Sequence, residues 1–465
     1  MKPTKITFNV DTIIAVIVCL LSVFGMISFF DLRVFGITIT LYRMLIPVIL
    51  FYYFITSYRK KLLETLNIIP INVRIFVFFF AIWICYGFAQ LMFRQNISIP
   101  DALKELLSLV LGYMCILIVS VLSFKDVKIK VFLLTIKCIF IVLLAFAYIE
   151  TIFGIHLESS KISEISQMYP EYKFLATTIF YNVNDYAAFI AIFLPLFFVS
   201  QNTNNKKEMV LNTVVIFLSV TMILRLDAWI SFVAICFTVI MSVVLSALKR
   251  GRDRSKKIKN SLITALTIIL AYKLGRYFLI ILNNILKNST IELYTHEAAN
   301  IEIGDVFSSQ LGEGAGTSSG ITRINTYFES IGNMFKDTFG LGYGPSNFGG
   351  YLHNSTYLNK ETLLENPHSL WVEIFVQYGV FIFAAYAITL VVLYIGLIKV
   401  FFKENSNTAM AVILMSTSFS LSAFNPSTFL EYSYQWLLIG IVVAILIQYR
   451  DRKPKKELIH ESRSS

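Results

Sequence analysis

Stretches of about 20 apolar residues recur from one end of this 465-residue chain to the other, and no other feature limits its fold as much. An α-helix of that length crosses the ~30 Å hydrocarbon core of a bilayer. The composition agrees, since 56% of the residues are hydrophobic and 15% are charged, against about 25% charged residues in soluble proteins. We therefore expect an all-α, polytopic integral membrane protein.

The distribution of positive charge predicts how these spans are oriented. With the N-terminus in the cytoplasm, the cytoplasmic segments hold 26 of the 40 Lys and Arg, including the run KRGRDRSKKIKN at 249–260. This is the positive-inside bias, so the net charge of +11 reflects topology rather than a nucleic-acid partner. The twelve predicted spans, with both chain ends inside, are roughly 11–30, 35–57, 75–93, 102–122, 131–151, 177–199, 210–224, 228–247, 261–283, 374–398, 409–424 and 432–448.

Two of the predicted external segments are long, and they run from Ile152 to about Ala176 and from Asn284 to about Leu370. A connection of about ninety residues without a span is uncommon and is usually functional or disordered. The chain then divides into spans one to nine (1–283), a long external loop (284–372), spans ten to twelve (373–448) and a basic cytoplasmic tail (449–465). All five cysteines fall within predicted spans, which implies no disulfide framework.

The second half of the long loop has a helical pattern. From Gly320 to Asp337 six apolar residues recur at helical spacing, which predicts an amphipathic helix that lies on the outer membrane surface with its apolar face in the interface. They are Ile324, Tyr327, Phe328, Ile331, Met334 and Phe335. The run GLGYGPSNFGG, from Gly340 to Gly350, follows, and its glycines predict tight turns whose backbone amides can approach a ligand closely.

A histidine stands where the loop turns into an apolar helix, within the stretch ENPHSLWVEIFVQYG. Asn366 is a good N-cap and Pro367 suits the first helical position, so we expect His368 in the first turn of that helix. The helix dipole there disfavours the imidazolium, which predicts a neutral ring that can accept a proton near pH 7. The alternative is that His368 only anchors the chain at the membrane interface.

Charged residues inside the predicted spans lie mostly toward the outer ends, which suggests a polar cavity open to the exterior. Arg43 is predicted ~12 Å below the outer end of the second span, where it either lines this cavity or forms a structural ion pair. In the long loop nine acidic residues outnumber four basic ones. An anionic ligand would therefore depend on few cations, above all Arg323, unless that side chain pairs with a nearby acid.

Three stretches carry a resemblance to a known family. The first is GITRINTYFESIGNMFKDTFGLGYGPSNF followed by NPHSLWVEIFVQYGVFIF, with Arg323 opening the helix, a glycine turn at Gly342–Phe348 and the segment Asn366–Glu373. The second is YNVNDYAAFIAIFLPLF, from Tyr181, and the third is FGITITLYRMLIPVIL, with its internal Arg43. Together they cover most of the chain in order, and they resemble the bacterial O-antigen ligase and O-antigen polymerase family.

This resemblance implies a metal-independent membrane glycosyltransferase with a GT-C-like fold and no cofactor. Such enzymes move a glycan from an undecaprenyl diphosphate carrier to an acceptor hydroxyl on the outer face of the bacterial cytoplasmic membrane. By analogy, 284–372 is the catalytic loop, with His368 as the base and Arg323 as the cation that holds the diphosphate, together with Arg225 or Arg276.

The resemblance also implies a set of substrate-binding residues: Arg225, Arg276, Arg43, Asn184, Gly344, Asn347, Asn366 and Glu373. The sequence departs from the family at one turn, where the family reads like S-R-x-A-W and this chain has LRLDAWIS. Here Arg225 comes one residue early, Leu226 takes the expected Arg position and Asp227 follows. Either the turn slips by one residue and Arg225 fills the role, or the role is lost.

The motifs do not separate a polymerase, whose acceptor is another lipid-linked glycan, from a ligase, whose acceptor is another molecule of the cell envelope. We favour a polymerase of a surface polysaccharide, with other polysaccharide-assembly proteins as candidate partners. A flippase or exporter of lipid-linked oligosaccharide would also have about twelve spans, although the two halves of the chain show no self-similarity. A structural partner of a synthase complex would need neither His368 nor Arg323.

Overall fold

The computed structural model describes residues 9–25, 27, 33–34, 37–94, 97–124, 127–168, 170–199, 205–248, 254–287, 319–348, 367–424 and 429–449. Within these residues nearly all regular structure is helical, which confirms the predicted helical class for this part of the chain. The exception is a small antiparallel pair, in which β1 (Arg33–Val34) pairs with β2 (Ile37–Thr38).

The described α-helices follow one another along the chain, and the longest intervals between them, 288–318 and 339–369, include residues outside the described part. They are α1 Val10–Phe24, α2 Leu41–Ile68, α3 Ile71–Phe93, α4 Ile99–Phe124, α5 Ile129–Phe153, α6 Lys161–Met168, α7 Val183–Phe193, α8 Pro195–Val199, α9 Lys206–Arg225, α10 Trp229–Leu248, α11 Arg254–Lys287, α12 Ser319–Thr338, α13 Leu370–Glu404, α14 Asn407–Ser422 and α15 Ser433–Gln448. Single turns of 3-10 helix at Pro170–Phe174 and Phe429–Glu431 precede α7 and α15.

Seven described helices are long and apolar enough to cross a membrane, namely α3, α4, α5, α9, α10, the Lys257–Gly275 part of α11, and α13. Shorter apolar helices lie at Val10–Phe24, Leu41–Thr56, Val183–Val199 and Ser433–Gln448. The chain is thus consistent with a polytopic membrane protein. Each predicted span overlaps a described helix, while the count of twelve spans, their orientation and the domain division stay predictions.

Aromatic rings fill the centre of the bundle. The indole of Trp83 in α3 lies 5.4 Å from the ring of Tyr378, 5.2 Å from that of Tyr386 and 6.4 Å from that of Trp436, measured between centroids. Such tilted and T-shaped pairs contribute about 0.5–1.5 kcal/mol each beyond the area they bury. A Cβ on Gly112 would lie 2.6 Å from the Trp436 indole, so this glycine allows α4 and α15 to pack closely.

The helix that follows the long loop begins later than expected. The N-cap of α13 is Ser369, whose hydroxyl accepts a hydrogen bond from the Val372 N–H. The prediction that His368 lies in the first helical turn was wrong, because its φ of 47° is incompatible with a right-handed helix. The predicted cap, Asn366, lies outside the described residues.

Candidate functional site

The helices α12 and α13 lie side by side with their N-terminal ends together. Met334 of α12 is fully buried in an apolar cluster with Val372 and Val376 of α13. At the N-terminal end the Tyr327 hydroxyl donates to the His368 carbonyl at 3.4 Å. This packing brings the part of α12 around Tyr327 to the residues that precede α13.

The predicted amphipathic helix is confirmed as α12, but its apolar residues divide between two surfaces. Tyr327, Ile331 and Met334 pack toward α13. The side chains of Ile324 and Phe328 are exposed, with Phe328 accessible over 75% of its surface. The exposed apolar edge is the surface that an interfacial membrane contact would use, and that membrane placement stays a prediction.

His368 is a half-buried residue held in the left-handed region of φ and ψ. Burial, as the largest cause, together with the positive charges of Arg323 and Lys161 lowers the pKa of His368 to about 4. The imidazole is therefore neutral near pH 7, as expected from the sequence. The cause differs, however, since it is burial and two cations rather than the dipole of α13.

Arg323 lies in α12 one turn before Tyr327 and close enough to His368 for their charges to interact. Burial lowers the pKa of the Arg323 guanidinium, while the neighbouring Tyr327 raises it. The Tyr327 hydroxyl interacts with both His368 and Ser369 and so connects the two helices at this point. The structure thus brings the two residues predicted to be catalytic into one site.

The second cation at this site, Lys161, was missed by the sequence analysis. It is the first residue of α6, in the shorter of the two long connections, and its side chain is exposed. The available signal was that this connection holds two basic residues, Lys161 and Lys173, in a predicted external segment. The prediction for this connection rested on its length and did not consider the charge of these two lysines.

The glycine-rich turn after α12 docks onto α13 with its own backbone. Three of its glycines have positive φ: Gly340, Gly342 and Gly344. The Gly344 N–H donates to the Gln377 carbonyl at 2.9 Å, and the Asn347 side chain donates to the Tyr343 carbonyl at 3.1 Å. These groups therefore hold the turn together, and the predicted substrate contacts of Gly344 and Asn347 stay untested.

The buried carboxylate of Glu105, at the start of α4, joins the turn to α13. It accepts hydrogen bonds from the Tyr378 hydroxyl at 2.5 Å and from the Ser346 N–H at 2.8 Å. With its amide nitrogen facing the carboxylate, Gln377 donates at 2.7 Å. Gln90 of α3 completes the junction by donating to the carbonyl of Gln377 at 3.0 Å. Glu105 is a residue of this junction to which the sequence assigned no role.

Arg43 lies at the start of a helix rather than deep within one. Because α2 begins at Leu41 and not near residue 35, Arg43 falls in its first turn, and the predicted depth of ~12 Å was wrong. Its guanidinium donates to the Thr38 carbonyl at 2.6 Å and interacts electrostatically with Glu431, which also pairs with Lys104 at 3.0 Å. These contacts favour the structural alternative for Arg43.

Arg225 is the last residue of α9, followed by the C-cap Leu226. In the turn beyond it, Asp227 has φ of 52° and accepts a hydrogen bond from the Trp229 indole at 2.5 Å. Burial raises the pKa of Asp227, and the bond from Trp229 opposes that shift. Among the described cations, Arg323 and Lys161 are those whose charge acts on His368.

The remaining predicted binding residues have varied positions. Asn184 lies in the first turn of α7, where its N–H donates to the Asn182 side chain at 3.2 Å. Glu373 is buried in the first turn of α13. The Asn366 residue and the Arg276 side chain fall outside what the structure describes. Asp185, next to Asn184, is fully buried and is a polar group that the sequence analysis left without a role.

An apolar cavity of about 360 Å³ lies between α10, α13, α14 and α15. Trp371 and Ser420 are among its lining residues, and the Trp371 indole donates to the Ser420 carbonyl at 3.0 Å. Leu390, Tyr394 and Leu438 line its sides. Trp371 lies in the first turn of α13, three residues after His368.

No protein-family model matches the chain. The chain is similar to the teichuronic acid biosynthesis protein TuaE of Bacillus subtilis (strain 168), with 21% identity over 390 residues that cover 80% of this chain and 72% of the relative. The similarity extends over most of both proteins. Because the identity is low, the resemblance to the O-antigen family stays an expectation.

Proposed function

We propose that this protein is a membrane glycosyltransferase of the O-antigen polymerase and ligase type, which extends a surface polysaccharide from a lipid-linked donor. The observation that carries the proposal is the convergence of a neutral, half-buried His368 and the Arg323 guanidinium in one site. Similarity to a teichuronic acid biosynthesis protein supports a role in surface-polysaccharide assembly. The site would face the exterior of the bacterial cytoplasmic membrane.

In the proposed reaction the acceptor hydroxyl oxygen attacks the anomeric carbon of the donor glycan. A glycosidic C–O bond forms while the bond from that carbon to the diphosphate oxygen breaks, and the electron pair leaves with the diphosphate. The hydroxyl proton passes to the His368 imidazole as general base. The Arg323 guanidinium offsets the negative charge that develops on the leaving diphosphate, which a planar bidentate donor does well.

The low pKa of His368 suits an enzyme whose substrate is an anion. In the free protein, burial and two cations hold the pKa of His368 at about 4, which would make a weak base. A bound diphosphate places negative charge beside the ring, and this raises the pKa toward the working pH. Because a general base is most effective when its pKa lies near that pH, the donor would activate His368 as it binds.

The apolar cavity beside the site supports a lipid-linked donor. It is lined by side chains such as Leu390 and Leu438, and it begins at Trp371 in the same helical turn that follows His368. A carrier with an isoprenoid chain and a diphosphate head, such as undecaprenyl diphosphate, combines an apolar part with an anionic part. Such a molecule offers an apolar part to the cavity and an anionic part to the Arg323 guanidinium.

The test is replacement of His368 by Ala and by Asn in the native strain, with Glu329→Ala, at an exposed position of α12, as the matched control. Surface glycan and lipid-linked intermediates are then separated on gels after equal membrane levels are confirmed. Loss of long polymer with accumulation of single lipid-linked repeat units indicates a polymerase. Polymer that accumulates on the carrier indicates a ligase.

Two other outcomes of that experiment contradict the proposal. Unchanged glycan in well-expressed His368 variants would mean that the residue is an interfacial anchor. Repeat units trapped on the cytoplasmic side of the membrane would identify a flippase instead. Both outcomes are distinguished from the proposed one when the experiment also determines on which side of the membrane the lipid-linked intermediates accumulate.

A further inference from the structure

A small polar cavity of about 50 Å³ lies between α8, α10, α11 and α14, and none of its lining residues belongs to the candidate site. About 10–15 Å³ of such volume holds one water molecule, so the cavity has room for a group of roughly the size of a phosphate. The polar residues that line it are Ser242 and Ser246 of α10, Lys257, Asn260 and Ser261 of α11, and Asn407 of α14.

The spacing of these residues along α10 and α11 explains why they meet. Ser242 and Ser246 are four residues apart on α10, as Lys257 and Ser261 are on α11, so each pair lies on one face of its helix. All three serines are buried, and the Ser261 hydroxyl lies 3.0 Å from each of the other two. Because hydroxyl groups rotate to donate or accept, the buried side of the cavity can adapt to a polar ligand.

Lys257 brings a positive charge to the more exposed side of the cavity. Its ammonium group donates to the side-chain oxygen of Asn407, and the Lys257 side chain is half-buried while that of Asn407 is exposed. None of the described residues that line the cavity is acidic. The lining therefore has a net positive charge, which favours an anion over a cation or a neutral ligand.

The N-terminal ends of two helices add to this positive charge. Helix α14 begins at Asn407, after the N-cap Ser406, whose hydroxyl accepts a hydrogen bond from the Ala409 N–H at 3.3 Å. Lys257 lies in the first turn of α11, where the helix dipole disfavours a cation. An anion in the cavity would be attracted by both helix ends and would offset the unfavourable position of Lys257.

We propose that this cavity binds a phosphate group, carried by a membrane phospholipid or free in solution. A phosphate offers several acceptor oxygens and a negative charge to an ammonium group, to hydroxyls and to amide N–H groups. The cavity adjoins the run 249–260, whose seven Lys and Arg are of the kind that attracts anionic lipids to the cytoplasmic face. This inference is independent of the proposed transferase activity.

The experiment uses the full-length protein, purified in detergent and freed of bound lipid. The wild type is compared with Lys257→Ala, Lys257→Arg and Ser261→Ala. Lys259→Ala is the matched control, because it removes the same charge from an exposed side chain of α11 that does not line the cavity. The ligands are inorganic phosphate, short-chain phosphatidylglycerol and short-chain diacylglycerol, which lacks the phosphate. Binding is measured by calorimetric titration, and the unfolding temperature is recorded with and without each ligand.

We expect phosphatidylglycerol to bind the wild type and to raise its unfolding temperature, and diacylglycerol to do neither. Lys257→Ala should weaken binding by about 10-fold or more, because hydrogen bonds to charged groups are the strong ones. Lys257→Arg should keep most of the binding, Ser261→Ala should weaken it less than Lys257→Ala does, and Lys259→Ala should bind like the wild type. Equal affinity for inorganic phosphate would identify free phosphate as the ligand, and tighter binding of phosphatidylglycerol would identify the lipid headgroup.

Three results would overturn the inference. One is that neither phosphate ligand binds the folded wild type. Another is that diacylglycerol binds as tightly as phosphatidylglycerol. The third is that Lys257→Ala and Lys259→Ala bind alike, in which case a lower unfolding temperature of ligand-free Lys257→Ala would show that Lys257 only holds α11 to α14. If Lys257→Ala does not fold, Ser261→Ala decides, and wild-type affinity in that variant contradicts the site.

Discussion

Gly342 and Gly379 meet backbone to backbone, with φ of 80° and 82°. A Cβ on Gly342 would lie 2.6 Å from the Gly379 nitrogen, and a Cβ on Gly379 would lie 2.4 Å from the Gly340 carbonyl oxygen. This contact joins the turn after α12 to Gly379, whose non-helical φ and ψ interrupt α13. We call this interruption the break in α13. It therefore sets how the two helices align, and with them the residues at their N-terminal ends.

The close approach predicts that Gly342→Ala is strongly destabilising. The added Cβ would lie 2.3 Å from the Gln377 carbonyl oxygen and in a left-handed backbone, which together cost about 2 kcal/mol or more. Gly332→Ala is the control, because a Cβ there meets nothing within 4 Å in the middle of α12. That change should stabilise the protein by about 0.5–1 kcal/mol.

Thermal unfolding in detergent and glycan transfer check this prediction together. Gly342→Ala should unfold at a lower temperature and lose transfer, while Gly332→Ala should unfold at the wild-type temperature or above. Equal unfolding temperatures for the two variants would show that the turn is not packed against the break in α13.

The pKa of His368 predicts how the reaction depends on pH. The acidic limb of kcat/KM reports the free protein and should lie near the pKa of about 4 that burial and the two cations impose. The acidic limb of kcat should lie higher, since the bound diphosphate favours the imidazolium. Both limbs come from initial rates measured between about pH 3 and pH 8, a range that spans the lowered pKa of His368 and the ordinary histidine value.

Arg323→Ala tests the direction in which the guanidinium shifts the pKa of His368. Loss of the guanidinium removes one cause of the lowered pKa of His368, so the acidic limb of kcat/KM should move to higher pH. His368→Ala should lower kcat by about 10²- to 10⁴-fold, which is the usual contribution of a general base. A wild-type limb near the ordinary histidine pKa of about 6.5 would contradict the buried environment.

The hydrogen bonds that Glu105 accepts predict that removal of this one carboxylate lowers the stability of the protein strongly. Glu105→Ala leaves the Tyr378 hydroxyl and the Ser346 N–H without their acceptor, and a buried donor left unpaired costs about 1–3 kcal/mol. We expect a marked loss of stability and of transfer. Glu105→Gln keeps one acceptor oxygen and should fall between the Ala variant and the wild type.

The control for Glu105 is Asp101→Ala, which removes an exposed carboxylate in the first turn of the same helix. Unfolding temperatures of the three variants are compared in one detergent. If Glu105→Ala and Asp101→Ala unfold alike, the carboxylate does not hold the glycine turn to α13, and the alignment of α12 must have another origin.

The segment 154–182, whose Thr177 and Thr178 amides donate to the buried Glu150 carboxylate, should loosen as the pH rises. Burial by itself lowers the pKa of His156, but the Glu150 carboxylate, 3.4 Å from Nδ1, and the Lys173 carbonyl, 2.6 Å from Nε2, outweigh it and raise that pKa above its ordinary value. The folded state thus favours protonated His156. Its contribution to stability is complete below the unfolded pKa of about 6.5 and is lost as the pH rises through the higher folded value.

Hydrogen exchange at the Thr177 and Thr178 amides reports this effect directly, because both amides donate to Glu150. After correction for the intrinsic rate, protection should decrease with pH above about 6.5 in the wild type. His156→Gln should remove that pH dependence. Protection that does not change with pH would show that the His156–Glu150 contact does not stabilise the segment.

The predictions for α12 and His368 succeeded to different degrees for one physical reason. The helical spacing of Ile324, Phe328 and Met334 is a local property, so the helix could be read directly. The start of α13 could not, since Asn366 and Ser369 are both acceptable N-caps. The choice depends on a distant group, because the Leu370 N–H donates to the Ala423 carbonyl of α14 at 2.8 Å.

The sequence by itself determined which segments are apolar helices, because the free energy of placing a side chain in hydrocarbon depends on that side chain and its near neighbours. It also pointed to Arg323 and His368. The tertiary structure alone decided that Glu105 meets Ser346 and that Tyr327 meets His368. Such contacts join residues far apart in the chain, and helices in a membrane select their neighbours by close packing and hydrogen bonds, which hydrophobic periodicity does not encode.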